Sequence, residues 1–488
     1  MAVASARTDE SWAEFGRRLR SWRRNAGVTQ QQLGRTVGYH HSQISRLEAG
    51  LREPPAGLVR RLDTVLETGG ELAAITAAPR EAPPGPRHLP TTPGLFAAPP
   101  GADTGDRDTW DHVPWPCALP TEGLACPLHG AAGCAVPDRA VASALLDELT
   151  SAHRPFAGLT GMEADLLHVL TAALACVIRG ALHRATMDGV VTAERLLRAV
   201  MRWAEAVDAT GRTPYGHLRI AAQYAQVAGR LRMRRGQSSI GMAWFGHGLR
   251  WADAVDDAPA RATLLSDTCA LVRLDEDAAA TLGYARAIGA VDSGRHWVTT
   301  LSHLYQARGH ALGHDAAECR RHITLARRAF VRLRPRDHLE APWLAGAEGE
   351  MRLESAVGGA LRDLAAVTGD RATARRAATA IARSRARLPA VMRDTHLLLT
   401  LRLADCWACA GDPGAAVALA SPVLAEATRS RELLVSAELG GLHGRLLSDW
   451  GTTPEVRQYR ERLLDTGDLG AAVGLPDFDS TAQRLRMR

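Results

Sequence analysis

Residues 28–54 read VTQQQLGRTVGYHHSQISRLEAGLREP. The stretch predicts two short helices joined by a tight turn. The first covers residues 30–37, with Thr29 as N-cap, because its hydroxyl can accept from an orphan N–H of the first turn. Gly38 supplies the left-handed position that ends a helix. The second helix begins near His40 or His41 and runs to Ala49, where Gly50 stops it. Leu33 and Val37 share one face of the first helix, and Ile44 and Leu47 share one face of the second. Packing those stripes together leaves His40, His41, Ser42 and Arg46 facing outward, with Gln43 beside them. An outward row of donors at the start of a helix is what base-edge reading in the major groove requires.

The stretch resembles the helix-turn-helix of phage-repressor (Cro/cI, XRE-type) regulators. The matching features are Val28-Thr29-Gln30, Leu33, Val37-Gly38, Ile44-Ser45-Arg46-Leu47-Glu48, Gly50 and Pro54. The resemblance implies a double-stranded DNA operator as partner. It places Gln30 near a phosphate and sets His40, His41, Ser42, Gln43 and Arg46 at the DNA. It also pairs Glu48 with Arg23 of the preceding helix. The family usually has small residues or glutamine where this chain has His40 and His41, so the preferred base sequence stays open. Gly34 stands where alanine is common, at a cost of about 1 kcal/mol in helix propensity.

Around this stretch a five-helix DNA-binding domain is expected over residues 9–76. Residues 1–10 read as a disordered lead. Ser11 is the expected N-cap of a helix to about Ala26, with Trp12, Phe15, Leu19 and Trp22 as its apolar stripe. A further helix is expected over 56–67, burying Leu58, Leu62 and Val65 or Leu66. Gly69-Gly70 breaks it, and a short turn over 71–76 completes the domain. Residues 11–52 hold eight arginines and two glutamates, a net of +6, while the whole chain carries 59 − 53 = +6. The excess is therefore confined to this region, which is the electrostatic footprint of a phosphate-binding face.

Every basic residue is arginine. A Walker A loop needs a lysine, and Schiff-base chemistry needs one too, so both are excluded. No H-E-x-x-H, G-x-S-x-G or G-x-G-x-x-G occurs, and no acid/base pair stands out, so the chain is not expected to be an enzyme. No charge-free run of 18 apolar residues is present, and the N-terminus lacks the apolar core of a signal peptide. A cytoplasmic protein without membrane contact is expected.

Residues 77–137 hold 13 prolines and 7 glycines, about a third of the segment, a composition typical of a linker. Its second half is less bland. Cys117, Cys126, His129 and Cys134 give C-x8-C-x2-H-x4-C, with His112 nearby. Thiolate and imidazole suit a tetrahedral zinc ion, so these four are candidate ligands of a structural zinc. A reversibly oxidised thiol pair and free loop cysteines are the alternatives.

Residues 138–470 read as helical throughout, in pairs at 215–235 with 238–255, 260–274 with 276–291, 297–312 with 315–333, and 396–410 with 413–428. The run 339–388 is hard to register. A repeat near 35–45 residues indicates an α-solenoid. Trp407, Gly411-Asp412, Ala416 and Ala420 resemble the aromatic, turn and small packing positions of a tetratricopeptide repeat. The resemblance implies a concave groove for a peptide, a protein or a second copy of the chain. A homodimer through residues 138–470 is expected, because a single helix-turn-helix covers few base pairs and this region is the only large surface available for pairing. Residues 471–488 form a tail. Cys406 and Cys409, in CWAC, read as packing around Trp407, and His303, His310 and His314 as scattered. The expected protein is all-α: a helix-turn-helix domain, a Pro/Gly-rich linker and a solenoid of tetratricopeptide-like pairs. Its expected role is sequence-specific transcription regulation, with the helical part dimerising or sensing a ligand. The alternative is an interaction scaffold with secondary DNA contact.

Overall fold

The computed structural model describes residues 2–39, 41–50, 54, 56–76, 113–151, 161–183, 187–430 and 432–465. His40, residues 77–112 with His112, and the tail 471–488 lie outside the described residues. Among the described residues the chain is all-helical, with two isolated antiparallel bridges and no strand. It divides into two compact units. One is built on residues 1–87, and the other on 88–278 and 284–488.

The first unit holds α1 (Ala2–Asn25), α2 (Gln30–Val37), α3 (His41–Glu48), α4 (Ala56–Leu66) and α5 (Glu71–Thr76). The lead expected to be disordered is helical, and α1 starts at Ala2 rather than near Ser11. Nothing in residues 2–10 is a proline or a glycine that would stop the helix from continuing backward. Phe15, Leu19, Leu33, Val37, Ile44, Leu47, Leu58 and Leu62 form a fully buried core, with Trp22 and Tyr39 partly buried against it. Asp63 organises the last turn: its carboxylate accepts from the backbone N–H groups of Leu72 and Ala73, both at 3.0 Å, at the start of α5.

The second unit opens with an irregular segment, 113–137, followed by seventeen further α-helices among the described residues. These are α6 (Arg139–Thr150), α7 (Glu163–His183), α8 (Met187–Ala209), α9 (Tyr215–Arg234), α10 (Ser238–Ala254), α11 (Ala258–Val272) and α12 (Ala278–Val291). They continue with α13 (His296–Leu312), α14 (Ala316–Val331), α15 (Pro335–Glu340), α16 (Gly346–Thr368), α17 (Arg371–Ala386) and α18 (Arg393–Cys409). The last are α19 (Pro413–Ala420), α20 (Leu424–Arg429), α21 (Leu433–Trp450) and α22 (Pro454–Asp465). The helix expected over 413–428 is interrupted by a 3-10 turn at Ser421–Val423, because Pro422 cannot donate to the helical ladder. Within the run 339–388, which has no clear repeat, lie α16 and α17, packed closely together.

Neighbours in the chain pack on one another through small residues. α9 and α10 cross where a Cβ on Gly241 would come within 2.9 Å of the Gly229 carbonyl. Trp203, Tyr224, Trp244, Phe245 and Trp251 fill the core of α7–α11. α7 carries an apolar stretch, Glu163–Ala181, long enough by length and composition to cross a membrane. Its Leu166, Leu167, Val169, Leu170 and Leu174 are buried in that core. In CWAC, Cys406 is buried and Cys409 half-buried within α18, and burial pushes the Cys409 thiol up to about 12.

Candidate nucleic-acid interface

The turn between α2 and α3 follows from local chemistry. Thr29 caps α2 by accepting from the Gln32 backbone N–H, and the Gln32 side chain accepts in return from the Thr29 N–H. This reciprocal pair satisfies two orphan donors. Gly38 ends the helix at φ 76°, and Tyr39 N–H donates back to the Gly34 carbonyl at 2.7 Å. A side chain at that φ would be strained, so glycine sets the angle at which the chain leaves for α3.

Behind this pair stands a buried charge cluster. The Glu48 side chain is fully shielded from water. It accepts from Arg23 Nη2 at 3.1 Å, Gln30 Nε2 at 2.8 Å and Arg20 Nε at 3.3 Å. Burial alone would raise its carboxyl; Arg23, Gln30 and Arg20 outweigh burial and hold it below the ordinary glutamate value. Arg23 Nη1 also donates to the Val28 carbonyl at 2.9 Å, so one guanidinium ties α1, the α1–α2 loop and the end of α3 together. The structure thus brings together Arg23 and Glu48 and adds Arg20 and Gln30 to them. Gln30, placed by resemblance near a phosphate, spends a donor on Glu48 instead.

The outer face is read from exposure. His41 and Arg46 are exposed and Gln43 is half-buried, while Ile44 and Leu47 between them are fully buried. His40 and the Ser42 side chain lie outside the described residues. Part of this basic charge is tied up in ion pairs. Arg17 and Arg18 pair with Glu14, Arg18 also with Glu71, and Arg20 and Arg23 with Glu48. Among the described residues of 11–52, Arg24, Arg35 and Arg46 carry no ion pair. All three are exposed, two of them on the two helices of the turn. The count of arginines in the sequence could not separate these from the paired ones.

Gly16 is a packing position behind this face that the sequence did not flag. A Cβ there would lie 2.6 Å from the Leu47 carbonyl oxygen and 2.8 Å from that of Glu48. The absence of a side chain lets α1 seat directly on the end of α3. Its only signal in the sequence was a glycine inside an otherwise strong helix.

The candidate metal ligands separate. Cys126, His129 and Cys134 converge, whereas Cys117 is exposed and outside the group. Cys117 is held by its backbone, its carbonyl accepting from Val136 N–H at 2.9 Å. The fourth member of the group is His168 of α7, which local spacing could not reveal. His303 and His310 are not scattered. They meet His322 of α14, with His303 Nδ1 3.0 Å from His322 Nδ1 and the His310 ring stacked on His322 at 5.2 Å. His314 lies in the turn after α13 at φ 62°.

Compared with known proteins, no curated protein and no solved structure matches the chain. Residues 14–74, the whole of the α2–α3 pair with its supporting helices, are similar to the family of proteins described as carrying a helix-turn-helix domain.

Proposed function

We propose that this chain is a sequence-specific, DNA-binding transcription regulator of the Cro/cI (XRE) type. The observation that carries the reading is α3: its inner face is locked by Ile44, Leu47 and the buried Glu48, while His41 and Arg46 are presented to solvent. A recognition helix needs this division between a fixed back and a polar front. The similarity of residues 14–74 to a helix-turn-helix domain supports it. The helical unit, with its tetratricopeptide-like pairing, serves as the dimerising and ligand-sensing part of a cytoplasmic, non-enzymatic regulator. A single helix-turn-helix covers few base pairs, and affinity normally comes from two half-sites about one helical turn apart.

Selection of bound duplexes from random DNA by the full chain tests the proposal. The expected product is an inverted repeat whose half-sites lie about 10 base pairs apart. Arg46→Ala and His41→Ala should each lose about 1–3 kcal/mol of affinity for it, and a residue at a base edge should also lose discrimination at one position. Selection that enriches no sequence, with binding that falls only with salt, sinks the reading and favours the interaction scaffold.

A further inference from the structure

Segment 113–137 is irregular, yet it is held against the helical unit. Its own buried core is small: Leu119, Cys126 and Val136, resting on Ala172 of α7. Such a segment has little apolar area with which to offset the entropy of ordering it. A second feature sits at the same place. One ligand atom from each of Cys126, His129, Cys134 and His168 lies within 4.8 Å of all the others. His129 Nδ1 is 3.6 Å from Cys126 Sγ and 3.3 Å from Cys134 Sγ. Zinc bonds of about 2.3 Å to sulfur and 2.0–2.1 Å to nitrogen place tetrahedral S and N ligands about 3.5 Å apart, so the observed spacing suits that ion.

We propose that Cys126, His129, Cys134 and His168 form a structural zinc site that clasps segment 113–137 onto α7. His168 is 8 % exposed, and its buried Nε2 has no hydrogen-bond partner among the described residues. An imidazole nitrogen in that position either costs stability or meets a ligand. Two thiolates balance the charge of Zn²⁺ and two neutral imidazoles complete the sphere, so the site is closed and structural rather than catalytic. The backbone is shaped to it. Cys126 and Gly130 form a tight bridge, with Gly130 N–H donating to the Cys126 carbonyl at 2.9 Å. His129 N–H points at Cys126 Sγ at 3.3 Å, which stabilises a thiolate. Binding releases the two thiol protons to solvent and involves no redox change.

The test is metal analysis of the full-length protein, with Co²⁺ as a spectroscopic probe. About one zinc per chain is expected, replaceable by Co²⁺ with thiolate-to-cobalt charge-transfer and tetrahedral ligand-field absorption. Cys126→Ser and His168→Gln should lose the metal, and Cys117→Ser should keep it. The Cys117→Ser result separates this ligand set from the one suggested by spacing alone, and the wild-type Co²⁺ spectrum needs no variant to fold. A wild-type protein with no zinc and no cobalt spectrum, isolation as a Cys126–Cys134 disulfide without metal, or loss of metal in Cys117→Ser each overturns the proposal.

Discussion

Glu48 is a single carboxylate on which three donors from two helices converge, with no access to water. Removing it leaves the Arg23 guanidinium, itself 12 % exposed, without its counter-charge. Breaking a buried pair in this way costs about 3–5 kcal/mol, more than the pair adds when intact. Glu48→Ala should therefore unfold much of the N-terminal unit and abolish DNA binding without touching DNA. Glu48→Gln, which keeps hydrogen bonds but not charge, should fall between. Hydrogen exchange of residues 2–76 in the full chain reads the effect, and unchanged protection in Glu48→Ala would refute the assignment. Because the folded-state pKa of Glu48 lies below the ordinary 4.5, its contribution is present above that pH and fades as pH falls below it.

At the scale of elements, glycine shows how context sets the sign of one substitution. Gly16 of α1 and Gly246 of α10 both lie inside helices, where alanine is favoured by about 1 kcal/mol. Gly246 is exposed and a Cβ would meet nothing within 4 Å. At Gly16 the same atom would strike the carbonyls of Leu47 and Glu48, and the backbone of α3 cannot swing aside as a flexible side chain can. Gly246→Ala should stabilise its unit by about 0.5–1 kcal/mol. Gly16→Ala should destabilise the other by about 1–3 kcal/mol, since overpacking outweighs propensity. Segment-resolved hydrogen exchange on both variants checks the pair. Equal effects of the same sign would mean that α1 does not seat on α3 as described.

At the scale of the whole helical unit, charge is buried on a large scale. Arg362 of α16 contacts Asp405 of α18 at 2.7 Å and Glu438 of α21 at 3.2 Å. Arg402 holds Glu438 at 2.6 Å, Arg445 holds Asp405 at 2.8 Å, and Arg308 of α13 holds Asp363 at 2.7 Å. Burial would raise Glu438, but Arg362 and Arg402 bring it down to about 2. Its stabilisation is full above the ordinary 4.5 and is lost as pH falls toward 2. Buried histidines act earlier in the same direction. His217, edge-on to Trp203, and His322 are each lowered from 6.5 to about 4. Burial is the main cause for both, against a partial opposing pull from Glu163 on His217 and from Glu318 on His322. The unfolded chain takes up those protons first, so stability falls between pH 6.5 and 4. Thermal melts of the full chain should drop across that window and drop further below it, and His217→Gln should flatten the first step. A melting temperature that holds constant from pH 7 to 4 would contradict this.

The sequence by itself determined the α2–α3 turn and the all-helical character of the described residues. Thr29, Gln32, Gly38 and the apolar spacing act through contacts within about four residues, so their meaning travels with the local chain. Tertiary structure alone decided which charges remain free and which residues meet. Arg18 and Arg46 are indistinguishable as letters, yet only the first finds Glu71, 53 residues away in the sequence (71 − 18). His168 joins Cys126 and Cys134 because α7 packs under segment 113–137, and Arg308, Arg362 and Glu438 are neighbours only because α13, α16 and α21 come together. The physical reason is distance: backbone caps and periodic faces are set by bonded neighbours, whereas ligand sets and buried ion networks are set by which surfaces the packed core brings within a few ångströms.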